Sequence, residues 1–286
     1  MKIYIPNQSK QSIGGGWSWI GNISKYFHQN AETELVDNHA KADIILIPSA
    51  SMITKELFNA MKESGKPIVL RIDNALKNSR NRGAGMSRLL KYANGADKLI
   101  FQSAWAMKYI KPWLRASRVD KKKLDDSVII YNGTDTEIFY PPHQNTKAKF
   151  DYRYLFVKDK RFDEAAYHFH KKSLKDFECK LTIVGRFDSK LIEHNFDFFN
   201  GEKVTYLGQI TDRNSMATLM RNHDVLLFPA FADASPQTVV EALNCGMKIE
   251  LVNDIGGTKE LLQLPIEALG LDYMGKKYFE ELKELV

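Results

Sequence analysis

Short runs of continuous apolar residues recur along this chain. Between them lie stretches whose apolar positions fall three or four apart. Residues 42–48 (ADIILIP), 66–72 (KPIVLRI), 96–102 (ADKLIFQ) and 224–228 (DVLLF) are runs of the first kind. Each is too short for a helix and reads as a strand buried on both faces, which is how strands of a parallel sheet look. Residues 1–6 read as a first strand by alternation, and 128–131, 154–157, 181–184 and 204–208 as further strands. Residues 17–29, 54–64, 86–94, 104–117 and 212–222 read as helices, with Ser103 placed to cap the fourth of these. Residues 272–286 read as a charged C-terminal helix. Strands alternating with helices predict an α/β protein with parallel sheets.

Turn residues divide the pattern. Asn132-Gly133 ends one strand run, and residues 141–150 (PPHQNTKAKF) are polar and open on two prolines, so they read as a linker. The expected organisation is a domain over residues 1–140, a linker over 141–150, a second domain over 151–271 and a final helix over 272–286. A chain of 286 residues accommodates two such domains. No apolar run approaches the roughly 20 residues a bilayer span needs. The N-terminus lacks the apolar region of a signal peptide. The two cysteines, Cys179 and Cys245, have no metal-ligand spacing. A reduced, cytoplasmic protein is the expectation, either peripheral at a membrane or on DNA if its charge calls for that.

Charge changes the picture. Residues 1–140 carry 21 basic against 13 acidic residues, and the remainder 20 against 22. Residues 77–123 hold 13 Lys or Arg and only two acids, Asp97 and Asp120. An anionic partner for this half follows, either nucleic acid or anionic membrane lipid. In the helix over 104–117, Trp105, Tyr109 and Trp113 form one stripe with Lys108, Lys111 and Arg115 beside it. Such a stripe is either the buried face of the helix or, with the cations, a nucleic-acid surface.

The candidate chemistry is densest over residues 224–260. A buried strand runs into a polar loop, and Pro236 and Gln237 open a helix with Ser235 as its expected N-cap. Free amides at that N-terminus suit a phosphate or sugar oxygen. Asp233 stands in the loop and Glu241 in the helix, with seven residues between them. Then follow Cys245-Gly246 and Gly256-Gly257-Thr258-Lys259-Glu260. With Ser235-Pro236 and Glu241-Ala242-Leu243, this succession resembles the nucleotide-sugar half of family 4 retaining glycosyltransferases. Asp233 stands where that family usually has Glu. Residues 128–135 with Phe139 and Pro141, and the phrase around Ala96-Asp97 and Ser103, are similar to the same family.

The resemblance implies the GT-B fold: two Rossmann-like domains facing a central cleft, the first on the acceptor side and the second holding the donor, with the final helix crossing back to the first. It implies transfer of a sugar from a nucleotide-sugar donor, UDP-linked, to an acceptor hydroxyl with retention and without a metal. Asp233 and Glu241 would carry the chemistry with Asp73. Ala234, Ser235, Pro236, Gln237, Gly256 and Gly257 would line the donor. The turn Gly14-Gly15-Gly16 precedes a helix and reads either as a diphosphate seat or as a plain flexible turn; the resemblance favours the seat. Lys158, Lys160, Arg161 and Arg186 are the cations that would meet the diphosphate, and Gly185 would sit close to the base. On the acceptor side stand Arg71, Asp73, Arg80 and Arg82, with Asp73 either orienting a hydroxyl or capping the segment after it. Trp17 and Trp19 read as packing residues or an acceptor platform. The acceptor is expected to be anionic or polymer-associated: a saccharide, a lipid-linked sugar or, alternatively, a hydroxymethylated pyrimidine in DNA, which would have to be flipped out. A non-catalytic binding module is the remaining alternative.

Overall fold

The structure, a computed structural model, describes residues 1–9, 14–73, 83–142, 153–157 and 161–286, without the side chains of 83–85 and 153–157. The chain divides into two compact bodies. One comprises Met1–Thr134, Ala232–Gln237 and Gly256–Val286; the other comprises Asp135–Phe231 and Thr238–Ile255.

The first body contains β1 (Lys2–Tyr4), α1 (Gly15–Gln29), β2 (Glu34–Val36), β3 (Ile44–Ile47), α2 (Lys55–Glu63), β4 (Ile68–Ile72), α3 (Gly83–Gly95), β5 (Lys98–Phe101), α4 (Ala104–Ala116), α5 (Lys121–Asp125) and β6 (Val128–Ile129). Its six strands are all parallel, in the order β2-β1-β3-β4-β5-β6. Alternate residues of the central strands serve opposite cores. Ile45, Ile47, Ile68, Leu70, Leu99 and Phe101 face α2 to α5, where they meet Phe58, Tyr92, Ile110 and Leu114. Ile3, Ile44, Leu46, Val69 and Ile100 face the other way, onto Trp19, Ile20, Ile23 and Phe27 of α1. That two-sided burial is why these strands read as unbroken apolar runs.

The second body contains β7 (Arg153–Val157), α6 (Phe162–Ser173), β8 (Lys180–Val184), α7 (Ser189–His194), α8 (Phe196–Phe199), β9 (Val204–Tyr206), α9 (Arg213–Arg221) and β10 (Val225–Phe228), then the rest of α10 (Gln237–Asn244) and β11 (Lys248–Leu251). Its five strands are parallel in the order β11-β10-β7-β8-β9. The strand order reverses between β7 and β10, and the loops following those two strands therefore flank the switch point where open α/β sheets bind ligands. One face of the sheet is packed by aromatic side chains, with Phe162 and Phe199 stacked at 5.2 Å.

The chain closes on the first body with α11 (Thr258–Leu261) and α12 (Leu271–Lys283). Leu271, Met274, Tyr278 and Leu282 of α12 complete the core beneath α1. Gly275 lets the helix approach Tyr26, since a Cβ there would run into the ring. Among the described residues, no helix is long and apolar enough to cross a membrane.

Two readings of the sequence change. The helical stripe Trp105, Tyr109, Trp113 is not the buried face of α4; Ala106, Ile110 and Leu114 are, and Tyr109 is half exposed. Helix α6 and the short α7 and α8 had no counterpart in the sequence reading.

Candidate functional site

In the first body, two backbone segments lie in contact. Asp233 and Gly256 form a parallel bridge, and the Gly257 N–H donates to the Asp233 carbonyl at 2.8 Å. A Cβ on Gly256 would come within 2.7 Å of that same oxygen, and one on Gly257 would meet Ser103 Oγ at 2.6 Å and run into the Ala234 carbonyl. Both positions are glycine because the chains touch backbone to backbone. Ala232, just before Asp233, adopts a φ of 55°, a left-handed conformation that costs an alanine about 1–2 kcal/mol.

The loop leading into α10 is buried at Ala234, Ser235, Pro236 and Gln237. Ser235 holds the loop through its backbone: Asn132 Nδ2 donates to its carbonyl at 2.7 Å, and the Asn132 N–H lies 3.4 Å from its Oγ. Gln237 Nε2 donates to the Gly133 carbonyl at 3.2 Å, and Asn22 of α1 donates to the same oxygen at 2.9 Å. Gly15 lies against Gln237, and a Cβ on it would stand 3.6 Å from the glutamine Cβ. Gly14, with a φ of 130°, caps α1, its carbonyl accepting from Trp17 and Ser18 at 2.9 and 3.0 Å. Gly14 and Gly15 are exposed and Gly16 is half-buried. The fold thus assembles Gly15, Ser235, Gln237, Gly256 and Gly257, which the sequence separates by up to 242 positions, into one neighbourhood of the first body.

On the expected acceptor side, Asp73 is half-buried just past β4. Arg71 is 2 % exposed, with Nη1 donating to the Pro48 carbonyl and Nη2 to Asn132 Oδ1, each at 2.9 Å. Its guanidinium lies 4.3 Å over the Trp19 ring. Trp19 is fully buried, which settles it as a packing residue, and Trp17 is half-buried against the same core. Arg80 and Arg82 lie outside the described residues, as do Lys158 and Lys160.

In the second body, Arg161 follows β7 and Phe231 follows β10, either side of the switch point. The guanidinium sits 5.2 Å from the ring centroid, and Arg161 also pairs with Glu164. Phe231 is 45 % exposed, unusual for phenylalanine at a strand end. The sequence reading passed over it; an aromatic three positions after the end of a buried strand run was its only mark. Glu241 is buried on α10. Gly185, with a φ of 137°, is pinned at the end of β8, donating to the Gly208 carbonyl at 2.8 Å and accepting from the Tyr206 hydroxyl at 2.9 Å. Arg186 beside it is exposed.

Glu260 carries a contact set the sequence did not reveal. Its carboxylate accepts from the N–H groups of Ala104 and Trp105, at 2.8 and 2.6 Å, and from the Tyr131 hydroxyl at 2.8 Å. It caps α4 from another part of the chain, beside Ser103, whose Oγ accepts from the Ala106 N–H at 3.1 Å. Burial and the adjacent Glu260 carboxylate push the Tyr131 hydroxyl up to about 12.

The basic stretch 77–123 is partly engaged internally. Lys98 pairs with Glu281 and Glu284, Lys123 donates to the carbonyls of Ala93 and Asn94, and Asp125 holds Arg115 at 3.0 Å. Lys108, Arg118, Lys121 and Lys122 are exposed. A shallow groove of about 340 Å³ runs along α4, walled by Met107, Lys108, Lys111, Pro112, Arg115 and Ile129.

The fold has known counterparts. HepE of Anabaena, solved in complex with UDP and glucose, superposes with a TM-score of 0.66 over 99 % of this chain and 91 % of its own, at 14 % identity. AviGT4, a glycosyltransferase involved in avilamycin A biosynthesis, superposes with a TM-score of 0.64 over 99 % and 97 %, at 12 % identity. The chain has the GT-B fold of the glycosyltransferases. Residues 139–264, which contain Asp233, Glu241 and Glu260, match the family model of glycosyl transferases group 1. Over 96 residues the chain is 30 % identical to N,N'-diacetylbacillosaminyl-diphospho-undecaprenol alpha-1,3-N-acetylgalactosaminyltransferase of Campylobacter jejuni. That stretch is 34 % of this chain and 24 % of the relative, so the likeness spans about a quarter of the Campylobacter protein.

Proposed function

We propose that this chain transfers a sugar, with retention, from a UDP-linked donor to a hydroxyl of a saccharide or lipid-linked acceptor. The observation that carries the reading is the loop from Asp233 to Gln237, inside the matched family segment, seated against Gly15, Gly256 and Gly257. A backbone gathered that tightly presents amides to oxygen-rich ligands. In this reading Glu241 accepts both ribose hydroxyls, as a carboxylate can. Asp233 and the backbone N–H groups of Ala234, Ser235 and Gln237 hold the sugar. The Gly14–Gly16 turn and cations from the set Lys158, Lys160, Arg161 and Arg186 take the diphosphate, whose charge grows as it leaves. Asp73 orients the acceptor hydroxyl. No metal is invoked.

The HepE complex with UDP and glucose supports the donor, and the Campylobacter relative, whose name specifies a diphospho-undecaprenol acceptor, supports a lipid-linked one. The exposed cations along α4 and α5 suit an anionic acceptor, and they leave DNA as the competing acceptor. Release of UDP from a panel of UDP-sugars, with saccharide, lipid-linked and hydroxymethylated-DNA acceptors, tests the reading. Glu241→Ala should lower release at least about 100-fold with an unchanged melting temperature. Near-normal release in that variant would sink the assignment. Stimulation by DNA alone, with steep loss of binding between low and moderate salt, would move the acceptor to nucleic acid.

A further inference from the structure

Arg71 is a buried cation that the proposed chemistry does not use. Burial draws its pKa down, and the nearby Tyr278 hydroxyl and Asp73 carboxylate oppose that. The Tyr278 hydroxyl lies beside the guanidinium without meeting hydrogen-bond geometry. Trp19 packs against both, its ring 4.3 Å from the guanidinium and 5.3 Å, edge-on, from the Tyr278 ring. Burying an arginine costs several kcal/mol, and an apolar side chain would fill the same space more cheaply. Its hydrogen bonds give the reason for its presence.

A guanidinium only donates. Because Arg71 Nη2 donates to Asn132, the asparagine must turn its Oδ1 toward Arg71. Its Nδ2 is then forced toward the Ser235 carbonyl, 2.7 Å away, with Gln102 Oε1 at 3.2 Å as a second acceptor. We propose that Arg71 is a positioning residue that sets the orientation of the Asn132 amide and thereby fixes the Ser235–Gln237 segment at the mouth of α10. Without it, the asparagine can present either end. With Oδ1 facing the Ser235 carbonyl, two acceptors oppose each other and the loop is released. The catalytic meaning of this relay rests on the function proposed above; the relay itself does not.

Two variants separate positioning from bulk stability. Arg71→Met keeps the volume and removes the donors. Asn132→Asp keeps a partner for Arg71, indeed a charged one, but can offer Ser235 only an acceptor. Amide hydrogen exchange of the full chain reads the loop directly, and calorimetric titration with UDP reads its consequence. Both variants should exchange about tenfold faster over residues 234–237 while Leu226–Phe228 and Val69–Ile72 keep wild-type protection, and both should weaken UDP about tenfold. Arg71→Lys, which can keep one of the two bonds, should fall between. If Arg71→Met fails to fold, Asn132→Asp still decides. Wild-type exchange over 234–237 in Asn132→Asp overturns the proposal. Failure of the wild-type protein to bind UDP overturns the donor assignment instead, and the exchange arm still decides the relay.

Discussion

Gly257 shows how little freedom single positions have here. Its Cα faces the Ala234 carbonyl and Ser103 with no room for a methyl group. Gly257→Ala must push apart the two segments joined by the Gly257 to Asp233 hydrogen bond. Overpacking of this kind costs about 1–3 kcal/mol. We expect a melting temperature several degrees lower and weaker UDP binding together, measured by thermal denaturation with and without UDP. Gly21→Ala, at an exposed position inside α1 where a methyl meets nothing within 4 Å, is the control: it should leave UDP binding unchanged and raise the melting temperature slightly through helix propensity. In the sequence this glycine pair read as donor lining, not as a crowded contact. The segment it approaches was not legible either, because Asp233 and Gly257 are brought together only by the fold. The burial of Arg71 was not legible for a related reason: Trp19 and Asn132, distant in sequence, supply a pocket that the local pattern cannot announce.

Helix α4 is held at its N-terminus by a carboxylate 156 positions away. Losing a cap of this kind costs about 0.5–2 kcal/mol. Glu260→Ala should therefore lower the unfolding free energy by about that amount, seen as a shift in the denaturant midpoint at unchanged slope. The same cluster gives a pH dependence. Folding raises the Tyr131 pKa from 10.0 to about 12, so the folded state favours the protonated phenol. That contribution is full below about pH 10 and is lost as the pH rises through about 12. The stability gap between wild type and Tyr131→Phe should hold to pH 10 and narrow between pH 10 and 12 in thermal melts. A gap that stays constant would show that Tyr131 ionises freely. At this scale the sequence was most readable: β3, β4, β5 and β10 lie where the apolar runs put them, because full burial on both faces writes an unbroken pattern. The register of α4 was not readable. Its aromatic stripe is bulkier than Ala106, Ile110 and Leu114, yet the smaller residues take the inner face, with Trp105 and Trp113 packed at its edge.

For the molecule as a whole, the C-terminal helix is part of the first body's core. Leu271, Met274, Tyr278 and Leu282 are all buried there. At about 1.5–3 kcal/mol for each such side chain, their loss approaches the entire stability of an ordinary domain, about 5–15 kcal/mol. A chain stopped before Leu271 should not fold its first body, as far-UV circular dichroism and exchange over β1 and β3 would report. Retained protection of Ile3 and Ile44 would contradict this. The family match, over residues 139–264, covers one stretch of this design and leaves the first body's own strands to the fold comparison.

The path of the chain through its two bodies has a consequence for biosynthesis. The chain leaves the first body after Thr134, re-enters it for Ala232–Gln237 and returns for good at Gly256. A ribosome delivers these pieces in order, so the six-stranded sheet emerges with the α1 side of its core uncovered. It waits through the synthesis of the whole second body before α12 arrives. During that interval Ile3, Trp19 and Ile23 have no lid, and the nascent chain is a natural client for chaperones that hold apolar surface.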